Sequence, residues 1–380
     1  MIPRPLDGIT VVSLEQAVAA PFATRQLADL GARVIKIERA SGDFARNYDT
    51  KVHGMASYFV WLNRNKESVV IDLKSAAGIS TLRKLVAKAD VLVQNLAPGA
   101  AHRLGIGSAD ALTINPRLIH ASISGYGSGG SYERKKAYDL LVQCEAGLLS
   151  VTGAADSMAK VGISVADIAA GMYTYTGVLA ALIQRGRTGT GQVLEVSMLE
   201  ALGEWMQQPY FYAEYGGSQQ PRSGAEHATI APYGPFHTAE GTLFLGIQNE
   251  REWAAFCDLV LGTPALATEP RFANNSSRVE NRPALHAAIE SILAAFSSDE
   301  AMSRLDAAGI ANARLRDMAE FSAHPQLAER DRWVDVPSPV GPLRTLRPPV
   351  TTTGYDYRFD PIPAVGEHTQ AILKELEEQE

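Results

Sequence analysis

The chain of 380 residues, 46% hydrophobic and 20% charged, is long enough to hold more than one hydrophobic core. Its formal net charge of −7 excludes a general nucleic-acid binder, which would carry a strongly basic face, so any polyanionic ligand has to meet a local basic patch. Two cysteines, Cys144 and Cys257, sit among apolar neighbours and read as separate structural thiols, which suits a reducing cytoplasm.

The N-terminal stretch MIPRPLDGITVVSLEQ shows no basic region followed by a long apolar run, so no secretory signal is read from it. ITVVSLE (9–15) predicts a buried strand, PFATRQLADLG (21–31) a short helix ending at a glycine C-cap, and ARVIKIER (32–39) a second strand. Such a βαβ unit implies parallel strands with a right-handed crossover. The unit recurs as SVVIDL (68–73), SAAGISTLRKLVAKA (75–89) and DVLVQNL (90–96), and RLIHASISGYG (117–127) adds a strand. The pattern predicts a doubly wound, Rossmann-like α/β domain over 1–202, with its ligand at the carboxyl ends of the strands. EQAVAAP stands where a G-x-G-x-x-G would lie, and GYGSGGSY (125–132) lacks the Lys-Ser/Thr ending of a P-loop, so it reads first as a flexible turn and second as a ligand contact.

Asp167 heads an apolar run in GISVADIAAGMYTYTGVLAALIQR (162–185) that carries no further charge until Arg185. The run falls short of the roughly 20 residues of a membrane span and predicts a buried core helix. Two roles stay open for Asp167. As an N-cap it would contribute about 1 kcal/mol. As a carboxylate nucleophile it would be kept ionised by the helix N-terminus while apolar walls strip its water. Residues 203–224, aromatic and interrupted by glycine and proline, predict a crossing linker. GPFHTAEGTLFLGI (234–247) predicts a hairpin, and the amphipathic helices after it complete a smaller α+β domain over 225–325. The proline-dense return, 326–380, is expected to run extended over its own or another subunit before the helical TQAILKELEEQE.

The eight histidines include no i,i+4 pair and no H-E-x-x-H, and G-x-S-x-G is missing, so neither a metal centre nor a serine nucleophile is predicted. Arg39, Lys66, Asn95 and Arg103 fall at or near predicted strand ends. The cations among them read either as solvated charges or as partners of a phosphorylated ligand. ERKKAYD (133–139) groups Lys135, Lys136, Tyr138 and Asp139 after the glycine-rich turn.

Taken in order, EQAVAAP, LADLGARVIKIER, LNRNKESVVIDL, DVLVQNLAPGAAHRLG, INPRLIHASISGYG, KAYDLLVQCEAGLLSVTG, ISVADIAAG and RPPV…PAVGEHT resemble the class III coenzyme A transferases, the CaiB/BaiF family, from Ile9 to Thr369. The resemblance implies that Asp167 is the nucleophile, with Tyr138 and Asp139 beside it. It also implies that Gln16, Ala17, Val18, Arg39, Lys66, Asn95, Leu96, Arg103 and Lys136 line the coenzyme A site. No tightly bound cofactor is implied; the coenzyme A thioester enters as a substrate, with an acyl-CoA donor and a carboxylic acid acceptor. Members are interlocked homodimers, with the active site between the large domain of one subunit and the small domain of its partner. Racemases of the family carry a histidine where Tyr138 stands, and an ordinary tyrosine pKa of about 10 makes a poor base at neutral pH. The glycine run of formyl-CoA transferases is missing. RSGAEHATIAPYGPF resembles instead members acting on C4 and C5 dicarboxylates such as succinate, itaconate, mesaconate or citramalate. Arg222 or His227 would then meet a distal carboxylate, or serve only an interface. Neither nucleic acid nor membrane is expected as a partner, and the expected location is cytoplasmic.

Overall fold

The computed structural model describes residues 2–378. In chain order the strands are β1 (Thr10–Leu14), β2 (Arg33–Glu38), β3 (Lys66–Val70), β4 (Val91–Gln94), β5 (Ile119–Ser124), the two-residue β6 (Gly153–Ala154) and β7 (Ser157–Met158), β8 (Gln192–Ser197), β9 (Tyr233–His237), β10 (Thr242–Gly246), β11 (Ala311–Arg314), β12 (Trp333–Val336) and β13 (Leu343–Leu346). They belong to two compact units. The larger comprises the described residues up to Leu148, Val161–Gln208 and those from Glu329 onward, and the smaller comprises Leu149–Lys160 and Pro209–Ala328.

The large unit is built on a six-stranded parallel sheet in the order β3-β2-β1-β4-β5-β8. The strand order turns at β1 and β4, which opens a crevice at their carboxyl ends. Val11, Val12, Val34, Val91, Leu92, Val93 and Ile119 are fully buried because helices cover both faces. β8 has no counterpart in the sequence reading. QVLEVS alternates exposed and half-covered positions, as an edge strand does, and shows no continuous apolar run.

The helix Val165–Thr188 is longer than the apolar run predicts, 24 residues closed by Gly189 at φ +78°. By length and composition it would be able to cross a membrane. Its small residues Ala166, Ala169, Ala170, Gly171 and Thr174 are instead buried within the large unit. A Cβ at Gly171 would lie 2.7 Å from the Ala19 carbonyl oxygen and 2.9 Å from the Phe22 ring, so the helix Ala19–Asp29 approaches to backbone contact there.

The crossing linker is largely helical, with Met198–Trp205 followed by Gln207–Gly216. Pro209 falls in the first turn of the second helix, where a missing N–H costs nothing. The return segment lies on its own large unit. Gly366 N–H donates to Ser68 Oγ and His368 N–H to the Ser68 carbonyl, and Ile372 and Leu376 of the terminal helix enter the core. Cys144 is exposed rather than buried, Cys257 is buried with its thiol pushed up to about 12 by desolvation, and both are free.

In the small unit β9 and β10 form the predicted hairpin, and β11 pairs with β10. Phe236, Trp253, Phe256, Phe272, Leu285 and Ile289 make its core. Leu149–Lys160, placed in the large domain from sequence, clusters here. Gly224 N–H donates to the Gly153 carbonyl, and Arg222 to the carbonyls of Ala154 and Ala155.

Gly171→Ala should lower the unfolding free energy by about 1–3 kcal/mol, since the added methyl meets a backbone carbonyl that cannot rotate away. Urea denaturation checks this.

Candidate active site

Asp167 lies in the first turn of the Val165–Thr188 helix and is half-buried. Among the described residues its carboxylate takes no hydrogen bond, so it is not the cap of its own helix. That function falls to Asp139, 28 residues earlier. Asp139 Oδ1 accepts from Ala166 N–H at 2.8 Å and from Asp167 N–H at 3.4 Å, while Oδ2 accepts from Gln143 Nε2 at 2.6 Å. Gln143 Oε1 in turn accepts from Val161 N–H. The consequence for Asp167 reverses the expectation that capping keeps it ionised. Desolvation first, and then the nearby Asp139 charge, push its carboxyl up to about 7. A carboxylate of raised basicity, only partly ionised at neutral pH and bonded to nothing, suits nucleophilic attack better than structural capping.

Aromatic side chains stand near it. Tyr58 Oη lies 3.4 Å from Ser164 Oγ at the head of the helix, and ring contacts run from Phe44 to Tyr48, Tyr58, Trp61 and Phe22. The Tyr48 hydroxyl is pushed up to about 12 by burial, then by the charges of Asp43 and Asp167 and by Tyr138. Tyr138 itself precedes the Asp139–Glu145 helix in extended conformation and is 67% exposed. Sequence reasoning missed Tyr48 and Tyr58. Their signal was the aromatic spacing within FARNYDT and SYFVWL, which has no regular period across the intervening turn.

A cavity of about 320 Å³ opens at the carboxyl ends of β1, β2 and β3. Gln16, Arg39 and Leu96 of the predicted set line it, as do Asp72, Leu73 and Lys74, which the sequence reading did not single out. Arg39 Nε donates to the Gly42 carbonyl at 3.1 Å, which steadies an exposed guanidinium. Asn95 fixes the loop beside it: its Oδ1 accepts from Gln16 N–H at 2.9 Å and its Nδ2 donates to the Gln16 carbonyl at 2.8 Å. Ala17 follows in the left-handed region at φ +61°, and buried Val18 sits at the N-cap of the Ala19–Asp29 helix. Arg103 and Lys136 are exposed and lie outside the cavity lining.

Lys66 is a correction. It opens β3, its side chain is fully buried, and Nζ donates to Glu15 Oε1 at 2.6 Å, the Pro21 carbonyl at 3.0 Å and Asn63 Oδ1 at 3.2 Å. All three donors are engaged, and none is left for a phosphate. Lys135 is likewise occupied, by Glu145 and by the Tyr132 ring at 4.0 Å. In the small unit Arg222 spends Nε and one terminal nitrogen on the Ala154 and Ala155 carbonyls. His227 stacks on Tyr233 with ring centroids 5.2 Å apart, and its Nδ1 accepts from Thr229 N–H. No group of three or more metal-ligating side chains occurs among the described residues.

An unbonded carboxylate of raised basicity on a doubly wound framework, with a cavity at the strand ends, is an arrangement able to do acyl-transfer chemistry. The model of CoA-transferase family III matches residues 6–369. The acetyl-CoA:oxalate CoA-transferase of Acetobacter aceti is 35% identical over 377 residues, covering 98% of this chain and 96% of that protein. The succinyl-CoA:glutarate CoA-transferase of Mus musculus is 31% identical over 378 residues, covering 98% and 86%. The crystal structure of a CaiB/BaiF family protein from Brucella suis aligns with a TM-score of 0.87 at 32% identity, over 98% of this chain and 100% of that one. The chain belongs to CoA-transferase family III, whose substrates are coenzyme A thioesters and carboxylic acids.

The raised carboxyl carries a stability consequence. Asp167 has a higher pKa in the folded than in the unfolded chain, so the fold prefers it protonated. That preference is fully present below the ordinary value of 3.8 and is lost as pH rises through about 7. Asp167→Asn should therefore be more stable than the natural protein at pH 8, by at most ~4 kcal/mol at about 1.4 kcal/mol per pKa unit. Its advantage should shrink at pH 5, as thermal unfolding at the two pH values will show. Asp139→Asn, which keeps the helix cap but removes the charge, should move the acidic limb of the kcat/KM profile to lower pH.

Proposed function

We propose that the chain transfers coenzyme A from an acyl-CoA to a short dicarboxylate through an aspartyl-CoA thioester on Asp167. The observation that carries this reading is the unbonded Asp167 carboxylate with its pKa pushed up to about 7. Ionised Asp167 attacks the thioester carbonyl; the C–S bond breaks, giving an acyl-aspartyl anhydride and coenzyme A thiolate. The tetrahedral oxyanion between them is stabilised by backbone N–H groups. The thiolate then attacks the aspartyl carbonyl, which forms the enzyme thioester and releases the donor carboxylate. An acceptor carboxylate reverses the sequence, attacking the aspartyl thioester and leaving as the new acyl-CoA. Each step exchanges one activated acyl bond for another, so no external energy source enters.

Arg39, Gln16 and Leu96, with Lys74, hold the coenzyme in the strand-end cavity, and Arg103 and Lys136 reach it from outside. Tyr138 and Asp139 support the nucleophile. The relatives named above act on oxalate, succinate and glutarate, and all three are dicarboxylates. Arg222 already staples the β6–β7 turn, so of the two small-unit candidates we assign His227 to the distal carboxylate. The large domain, the crossing helices, the small domain and the return segment serve an interlocked homodimer. Exposed Leu140, Leu141 and Ile163, near Asp139 and Asp167 in the chain, support a partner's covering this region.

Incubation with succinyl-CoA, quenching with hydroxylamine or borohydride, and peptide mapping should place the modification on Asp167. Turnover with Asp167 unmodified would remove it from this role. Asp167→Asn should lower turnover ~10³-fold or more, whereas Arg39→Ala should raise the KM for coenzyme A thioesters more than it lowers kcat. His227→Ala should raise the KM for succinate while leaving that for a monocarboxylate acceptor unchanged.

A further inference from the structure

Beneath the strand-end cavity lies a quartet of charges sealed from solvent. The side chains of Glu15, Lys36, Lys66 and Asp43 are all 0% exposed. Glu15 Oε1 accepts from Lys66 Nζ at 2.6 Å and Lys36 Nζ at 3.3 Å, and Lys36 Nζ donates to Asp43 Oδ2 at 2.8 Å. Two carboxylates and two ammonium groups sum to zero. Glu15 is held low, at about 2, because the two lysines overcome its burial. Lys66 is pushed down to about 7 by burial and by Lys36, yet its three acceptors each call for a donated N–H.

Stability alone is a poor reason for such a group, since well-packed apolar side chains of similar volume are often as stable as a buried ion cluster. Its distinguishing property is directional. With Oδ2 held by Lys36, Asp43 turns Oδ1 to accept from Ala17 N–H at 3.2 Å and Ala45 N–H at 2.9 Å. Ala17 is held at φ +61°, a conformation that an alanine leaves readily unless its surroundings fix it. Asn95 grips the N–H and carbonyl of Gln16 from the other side. Three backbone groups of the Gln16–Ala17 turn are thereby pinned, and this turn both lines the cavity and starts the Ala19–Asp29 helix.

We propose that Glu15, Lys36, Lys66 and Asp43 are positioning residues for the coenzyme A thioester, acting through the left-handed Ala17 that their chain of contacts maintains. The inference rests on reading the strand-end cavity as the coenzyme site. A relaxed Ala17 would redirect Gln16 across the cavity wall and leave the chemistry at Asp167 untouched once substrate is bound.

The test uses the purified full-length enzyme and steady-state kinetics with succinyl-CoA. Lys36→Met should raise the KM for the thioester about tenfold, the scale of one released backbone strain, with kcat within about threefold of the natural enzyme. Ala17→Gly in the Lys36→Met background should return KM to within about threefold, because glycine adopts φ +61° without the strain an alanine bears there. A purely structural quartet would give no such rescue, and that outcome overturns the proposal, as does an unchanged KM. If Lys36→Met does not fold, Asp43→Asn takes its place, since it keeps the Ala17 acceptor but loses the ionic anchor; the same rescue is required. Arg39→Ala runs alongside. If it raises the thioester KM while the quartet variants do not, positioning alone fails; if it too leaves KM unchanged, the cavity reading fails and the proposal falls with it.

Discussion

The contact between Gly171 and the carbonyl of Ala19 is the constraint on which the rest of the site depends. Gly171 lies one helical turn beyond Asp167, and Ala19 is the first residue of the helix that Val18 caps. One backbone-to-backbone approach therefore sets the distance between Asp167 and the Gln16–Ala17 turn beside the strand-end cavity. The small residues on either side, Ala166, Ala169 and Ala170, extend that fit along the helix. Larger side chains would separate the two helix starts, and with them Asp167 from the strand-end cavity.

Electrostatics then divides the charges by job. Asp167 has no cation against it, so burial and Asp139 act unopposed and its carboxyl titrates near neutrality. The lysines that would have lowered it are sealed elsewhere: Lys36 and Lys66 spend their charge on Glu15 and Asp43. Other cations stand at the surface, with Arg39 and Lys74 at the cavity and Arg103 and Lys136 exposed beyond it. In a chain of net negative charge, local placement decides which cations reach the surface: Arg39 and Lys74 are free of the buried ion pairs that hold Lys36 and Lys66.

The parallel framework was legible because strands β1 to β5 are buried on both faces and appear as short apolar runs between turn signals. β8 escaped because an edge strand alternates. Asp167 stood out as a single charge heading an apolar run, but the residue that caps its helix did not, since Asp139 reaches it across the fold, outside any local spacing. Lys66 illustrates the sharper limit. Its position near a strand suggested a ligand cation, yet a side chain's partners are set by the direction in which it leaves the sheet, and Lys66 turns inward to Glu15. Arg39, just past the end of β2, leaves the sheet outward and lines the strand-end cavity, with one nitrogen bonded to the Gly42 carbonyl.

The same geometry explains why closure over Asp167 has to come from beyond its own helix. The buried stripe of Val165–Thr188 faces the core of the large unit, and the acid itself is only half-buried. Tyr138, two-thirds exposed, and the exposed Leu140 and Leu141 flank Asp139, which holds the N–H of Asp167, and exposed Ile163 precedes the helix that carries Asp167. The proposed anhydride would be open to hydrolysis there, and an apolar rim exposed to solvent is itself unfavourable. Covering the rim removes both penalties at once. The interlocked partner subunit proposed above would supply such a cover, which is why the proposed assembly and the proposed chemistry call for the same surface.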